Sequence, residues 1–264
     1  MEETPPENAL EVRTYFVRDR NALIARADFS ELYVDYYLHQ GQHGYRHDPQ
    51  HDQMLKEALA AVVLHSAARP RSDITAWTIH FQQPLLNLFV TGDNQRGSVV
   101  GQIFTENVKQ MEMSRFVSDV IRGSSQARRS VVEFEGNDVF RAVEQYYEKS
   151  EQLPARIFQH EEEDFVIVCA HPDCDMEWFA ALNNESIRRL DQDQTLRLLE
   201  KRYYRWECGC NQQRMLAVLA PLMLQDADGL FGEDTMLRMS CPRCGARYKI
   251  TREVLEAYVA SEKR

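Results

Sequence analysis

Apolar and polar residues alternate from Val12 to Val17 and again from Leu23 to Ala27, which predicts two short strands able to pair with each other. From Phe29 the period changes. Leu32, Tyr33, Tyr36 and Tyr37 recur at helical spacing, as a helix packed on the sheet requires, while Gly41, Gly44 and Pro49 predict a break in the helical run. A second helix is expected from Asp52 to Ala68, with Leu55, Leu59, Val62 and Val63 as its apolar stripe and Pro70 as its stop. Ile74 to Val108 then reads as a β-meander, with Ile74–His80, Leu86–Thr91 and Ser98–Phe104 separated by Gln-Pro and Gly-Asp-Asn turns. Ser130–Phe134 adds a strand, Asp138–Ser150 a helix, and Ala155–Gln159 and Phe165–Ala170 two closing strands. Met176 to Arg205 is charged and helical in pattern, with Leu190, Leu196 and Leu199 as scattered anchors.

These elements predict an α+β fold: an N-terminal core of β-meander sheets with packed helices, a helical linker and a small C-terminal domain. The expected division is a polar, disordered lead at 1–10, an α/β core at 11–175, the linker at 176–205, and a C-terminal segment at 206–264 that holds four of the six cysteines. With 264 residues, 44% of them hydrophobic, the chain can bury roughly 70–75% of its unfolded surface without disulfides. Forty-one acidic against thirty-one basic residues leave a net charge of −10, which disfavours nucleic acid as a partner. The start, MEETPPENAL, lacks the basic and apolar stretches of a signal peptide, and the apolar run around Ala58–Leu64 is too short to cross a bilayer. No membrane partner and a cytoplasmic location are therefore expected. In that reducing compartment, cysteines serve as metal ligands or redox thiols rather than structural disulfides.

The cysteine pattern carries the chemistry. Cys208-Gly209-Cys210 and Cys241-Pro242-Arg243-Cys244 are separated by the thirty residues Asn211–Ser240. Two close pairs of thiolates suit one tetrahedral Zn²⁺ per chain, because each pair spans one edge of the tetrahedron. Pro242 fixes a turn, and Gly245 lets the chain leave it with backbone N–H groups aimed at sulfur. Four ordinary buried thiols, or a thioredoxin-like C-P-x-C site at Cys241 and Cys244, are the alternatives; the second lacks its strand–helix context. Residues 208–264 number fifty-seven, a length at which burial is marginal, whereas structural zinc contributes on the order of 10–16 kcal/mol. Loss of the metal should therefore unfold this segment, and oxidation of the thiolates offers a route to that loss.

The C-x-C, thirty residues, C-x-x-C pattern at the end of an acidic chain resembles the heat-shock protein 33 family, the 33 kDa chaperonin or redox-regulated holdase. Tyr146-Tyr147-Glu148-Lys149-Ser150-Glu151-Gln152-Leu153-Pro154 is similar to the family's tyrosine-rich stretch ending in Ser-Glu-Gln-x-Pro. The resemblance implies an ATP-independent chaperone, not an enzyme, that binds unfolding client proteins under oxidative stress and protects them from aggregation. It implies Cys208, Cys210, Cys241 and Cys244 as zinc ligands in a reduced monomer. On oxidation it implies a Cys208–Cys210 and a Cys241–Cys244 disulfide, zinc release, unfolding of linker and redox domain, and a homodimer. Three departures stand out: the linker is shorter than the family's, Gln82-Gln83-Pro84 replaces a Gly-Asp-Gly-Pro type turn, and Cys169 and Cys174 lie outside the family's four.

Other features are read more plainly. His39, His43, His47 and His51 recur every four residues, but Gly41, Gly44 and Pro49 place them in a solvated loop. Cys169 is expected as a buried strand thiol and Cys174 as a loop thiol. Met215, Met223, Met236 and Met239 belong to the core of the cysteine segment and offer an adaptable client surface once exposed. Arg128-Arg129 and Arg188-Arg189 are solvated surface, and Glu161–Asp164 a solvated turn. No nucleophile elbow, G-x-G-x-x-G or Walker motif is found, so no catalytic or cofactor-binding residue is assigned beyond the cysteines. Two further function classes stay open: a constitutive interaction module with a purely structural zinc, and a thiol oxidoreductase using Cys241 and Cys244.

Overall fold

In the computed structural model, which describes residues 9–123 and 125–262, the first two alternating segments form β1 (Leu10–Val17) and β2 (Ala22–Asp28), paired antiparallel. Residues 1–8 of the predicted lead lie outside the described residues, and Leu10 already belongs to β1. Helix α1 (Ser30–His43) follows and runs through Gly41, ending only where Gly44 takes up a left-handed conformation with φ 63°. The predicted break at Gly41 is thus absent, because one glycine inside a helix costs only about 1 kcal/mol relative to alanine. Pro49 does not merely interrupt: it opens α2 (Pro49–Ala67), with the Asp48 carboxylate accepting from Gln50 N and His51 N as the N-cap.

Strands β3 (Asp73–Phe81), β4 (Leu86–Asp93), β5 (Ser98–Phe104), β6 (Ser114–Arg122) and β7 (Arg128–Phe134) make the meander. Of these β6 was not anticipated, although Ser114, Phe116 and Ser118 point inward at alternate positions. Helix α3 (Val139–Tyr146) passes into a π-helical turn at Tyr147–Glu151, and β8 (Ala155–Gln159) and β9 (Asp164–Ala170) close the first half. Next come the short helices α4 (Met176–Ala181), α5 (Asn184–Arg188) and α6 (Leu190–Asp193), then the eleven-residue strand β10 (Leu196–Trp206). The helical reading of Met176–Arg205 therefore holds to Asp193 and is corrected beyond it. The C-terminal part comprises α7 (Gln212–Gln225), α8 (Ala227–Phe231), the antiparallel ribbon of β11 (Met236–Ser240) with β12 (Arg247–Thr251), and α9 (Arg252–Glu262).

The sheet order β7-β6-β3-β4-β5-β10-β1-β2-β9-β8 makes β10 the join between two otherwise separate antiparallel groups. It pairs antiparallel with β1 from Leu10↔Tyr204 to Val17↔Leu196, and parallel with β5 at Arg205↔Ser98 and Trp206↔Val99. The approach is close enough that a Cβ at Gly97, where φ is +59°, would stand 2.4 Å from the Tyr203 carbonyl oxygen. Tyr204 is buried and donates its hydroxyl to Asn94 Oδ1 (2.6 Å). Arg202 donates to the Ser66 and Arg69 carbonyls, satisfying the end of α2. Helix α2, buried on nearly every face, packs beneath the sheet and centres the main core with Trp77, Phe116 and Tyr146. The mixed α+β reading of the sequence holds.

Two outcomes follow from this core. Tyr204→Ala removes a buried aromatic from the joining strand and should cost about 3–5 kcal/mol in urea unfolding; a loss below about 1 kcal/mol would mean that β10 is peripheral. His65 is fully buried with its Nδ1 2.7 Å from the Tyr147 hydroxyl, and burial holds its imidazole well below the ordinary range. The unfolded chain then takes up a proton near pH 6.5 that the native state refuses, so this contribution is complete above that pH and is lost as pH falls below it. Urea midpoints at pH 7.5 and 5.5 should therefore diverge less in His65→Gln than in the parent, with a slope difference of at most about 1.4 kcal/mol per pH unit.

Candidate metal centre

Trp206 ends β10 beside Val99, so the chain leaves the sheet at a fixed point and delivers Cys208 and Cys210 immediately beyond it. Asn211 then caps α7 by accepting from Arg214 N (2.9 Å). The second pair sits on a tight turn between the ribbon strands. Gly245 N donates to the Cys241 carbonyl (2.9 Å), and Cys241 N donates to the Ala246 carbonyl (2.8 Å).

The four sulfur atoms lie within 4.8 Å of one another, with 3.7 Å between Cys208 and Cys241 and 3.5 Å between Cys210 and Cys244. A tetrahedral ion with metal–sulfur bonds near 2.3 Å has edges of roughly 3.8 Å, so the donor set fits such an ion. Cys241 and Cys244 are buried, whereas Cys208 and Cys210 are half-buried. Hydrogen bonds from Cys208 and Cys244, reinforced by the backbone N–H groups of Arg243 and Cys244, hold Cys241 well below the ordinary thiol range. The Ala246 N–H is directed at Cys244 in the same way, and the Tyr248 hydroxyl donates to Cys210 Sγ (3.1 Å). Such N–H and O–H donors to sulfur are what a thiolate-bound ion requires of its surroundings.

The second turn is also docked on the core. The Cys244 carbonyl accepts from Tyr45 Oη (2.8 Å) and from His39 Nε2 (2.9 Å). Arg247 N donates to His43 Nδ1 (3.1 Å), and its guanidinium donates to the Gly44 carbonyl while lying 5.3 Å from the Tyr45 ring centroid. Val100 of β5 packs on Cys241, Cys244 and Ala246, and the His39 ring lies against Trp206. Gly245 is required here on two grounds: its φ is +73°, and a Cβ would meet Gln102 Oε1 at 2.6 Å and Tyr45 Oη at 2.9 Å. Gln102 Oε1 and Trp206 Nε1 are buried at this contact without a protein partner, which lowers the net gain from docking.

The histidine reading is therefore corrected. His39 and His43 project from the last turns of α1 onto the cysteine segment, half-buried His47 lies in the following turn, and His51 is in α2 beside Asp48. Their four-residue spacing was the available signal; taking Gly41 as a helix end concealed it. Tyr45, Arg247 and Tyr248 had no local signature. Cys169 is buried on β9, where burial pushes its thiol up to about 12, and Cys174 is half-buried in the turn that follows; neither belongs to the four-sulfur group. Met215 is buried with Leu216, Leu219, Phe231, Ile250 and Leu255 in a small core that Met223 and Met239 border, while Met236 lies outside it.

Comparison with known proteins adds the following. A family model described as Hsp33 protein matches residues 32–171 and 168–251. The 33 kDa chaperonin of Yersinia pestis (strain Pestoides F) is 25% identical over 233 residues, covering 76% of this chain and 80% of that relative. The 33 kDa chaperonin of Hahella chejuensis is also 25% identical, over 158 residues that cover 50% of this chain; the chain spans only about half (55%) of that relative's length. The crystal structure of the 33 kDa chaperonin (heat shock protein 33 homolog) from Thermotoga maritima superposes with a TM-score of 0.70 at 13% identity, covering 96% of this chain and 99% of that one. That likeness concerns the fold.

The docking contact can be tested separately from the sulfur cluster. His39→Ala combined with Tyr45→Phe removes both donors to the Cys244 carbonyl, each worth about 1 kcal/mol. Amide exchange over 241–251 should accelerate by about tenfold or more while the bound metal is retained. Unchanged exchange would show that the contact does not restrain the turn.

Proposed function

Because this chain belongs to the Hsp33 family, a family of chaperones, we propose that it is a redox-regulated, ATP-independent holdase. In this reading Cys208, Cys210, Cys241 and Cys244 hold one Zn²⁺ in the resting state, and their oxidation makes the protein bind unfolding clients. The observation that carries it is that Cys244 contributes a sulfur to the cluster and, through its carbonyl, the dock onto α1 and Tyr45. Loss of the cluster and loss of the dock are thereby coupled.

When bound, the ion would supply the charge that keeps all four sulfurs deprotonated and the tie between two chain segments. The oxidant is hypochlorite or hydrogen peroxide. Each pair of thiolates gives two electrons to one oxidant molecule and forms one S–S bond; peroxide leaves as two hydroxide ions, hypochlorous acid as chloride and hydroxide. The proposed pairs are Cys208 with Cys210 and Cys241 with Cys244. The nearest sulfur contacts run across these pairs, and bonds formed there would staple the first turn to the second. The pairing within each turn is what the family resemblance implies, and it leaves the two turns unlinked.

Residues 206–264 serve as the switch unit on a core of residues 11–175, with 176–205 as the linker. Since Leu196–Trp206 is built into the sheet, the order-to-disorder step starts after Trp206 rather than at Met176. Undocking uncovers Trp206 and Val100 on the core and exposes Met215, Leu216, Leu219 and Ile250 from the melted segment, apolar surface suited to unfolded clients. The resting form is a monomer, the oxidised form a homodimer, and the compartment the reducing cytoplasm.

The test is to treat reduced, zinc-loaded protein with hypochlorite or peroxide at mildly elevated temperature. Metal release is read with a colorimetric chelator and client aggregation in the same samples. One zinc released per chain together with suppressed aggregation is expected. Retained zinc, or release without protection, overturns the redox reading and leaves a zinc-stabilised binding module.

A further inference from the structure

A cleft of about 1060 Å³ separates the end of α1 from the β11–β12 ribbon, and none of the residues lining it is acidic. Arg238, Arg247 and Lys249 line it from the ribbon, His43 from α1 and Gln212 from the start of α7. The ribbon register explains the concentration of charge. Arg238 faces Lys249 and Ser240 faces Arg247, so all four share one side, while Leu237, Met239, Tyr248 and Ile250 turn to the segment's apolar core. Like charges directly opposed on a ribbon destabilise it. Yet among the described residues from Trp206 onward only Arg252 has carboxylate partners, Asp228 and Glu256. Three cations without a carboxylate partner, of which Arg247 is held by the Gly44 carbonyl and the Tyr45 ring, share one acid-free cleft in a chain of net charge −10.

From this arrangement we propose that the cleft binds a short phosphate anion of two or three phosphoryl groups, held between the ribbon cations and the N-terminal end of α7. Helix α7 spans fourteen residues, its cap uses Asn211 on Arg214 N, and its first residue, Gln212, lines the cleft, which places the positive end of the helix dipole at the cleft wall. Arginine and lysine with helix amides are the donors that phosphate oxygens select. A nucleic acid strand fits less well. Tyr248 lines the cleft but also packs on the segment core with its hydroxyl committed to Cys210, and the acidic remainder of the chain repels a long polyanion. The phosphates can come from a free inorganic chain or from the tail of a nucleoside triphosphate; both present the same chemistry to the cleft.

The proposal does not rest on the redox reading, since binding is measured directly on the reduced, metal-loaded protein. Sodium tripolyphosphate titrated calorimetrically at low salt should bind saturably at one site per chain, and the affinity should fall as sodium chloride is raised. The double variant Arg238→Glu, Lys249→Glu should lose at least tenfold in affinity, whereas Arg197→Glu, on exposed β10 surface, should not change it. Arg238→Gln with Lys249→Gln, checked for zinc content and circular dichroism, serves if the charge reversal unfolds the ribbon. ATP bound as tightly as tripolyphosphate assigns the site to any triphosphate tail; weaker ATP binding assigns it to the inorganic chain. No saturable binding, unchanged affinity in a folded double variant, or tighter binding of a single-stranded oligonucleotide would overturn the proposal.

Discussion

Cys244 is fixed at both ends of its own residue: the sulfur belongs to the four-cysteine cluster and the carbonyl to the dock on Tyr45 and His39. The cluster and the dock of the segment beyond Trp206 thus meet in one residue. Magnitudes set the order of dependence. Among the described residues the segment's own core contains six buried apolar side chains, and the docking hydrogen bonds contribute about 1 kcal/mol each. A structural zinc ion contributes on the order of 10–16 kcal/mol. In the proposed zinc-loaded state the ion would therefore outweigh both the small core and the dock in holding the segment. The dock would transmit loss of the ion, because it closes only when the Cys241–Ala246 turn has its folded shape.

The main sheet is built so that this loss can stop at a boundary. Strand β10 is inserted between β5 and β1, with Tyr204 buried on Asn94 and Arg202 completing the end of α2. Its removal would separate the two antiparallel groups, so the core resists any unfolding that would cross Trp206. From Glu207 to Asn211 the backbone keeps one hydrogen bond to the sheet, Glu207 N to the Val99 carbonyl (3.4 Å), and Asn211 turns away to cap α7. The boundary between the sheet and the cysteine segment is set by where the chain leaves the sheet.

The sequence disclosed most of this arrangement through local pattern. The strands of the first meander, the buried α2 and the four cysteines were legible because each is written in periodicity or spacing. The failures share a cause. Leu196–Trp206 is rich in Leu, Arg, Glu and Lys, good helix formers, and Leu198 and Leu199 are exposed, so no alternation shows; pairing with β1 and β5 overrides the propensity. Strand β6 was hidden because its inward positions include Ser114 and Ser118 beside Phe116. The dock was illegible for a different reason: His39 and Cys244 are 205 positions apart, and no local periodicity relates them. Their contact exists only because β10 returns the chain to β5, next to the end of α1.

Six cysteines share the chain, yet their surroundings divide them into two chemical kinds. Cys169 is fully buried beside Tyr147, and burial pushes its thiol up to about 12; burial also raises Cys174 in its loop. Both are thus held as neutral thiols, poor nucleophiles toward peroxide or hypochlorite. Among the other four, hydrogen bonds hold Cys241 well below the ordinary thiol range while the shared bond pushes its partner Cys208 up to about 12, and Cys208 and Cys210 are half-buried, within reach of solvent. In the proposed zinc-loaded state the ion would hold all four as thiolates, so selectivity among the six would follow from membership of the cluster.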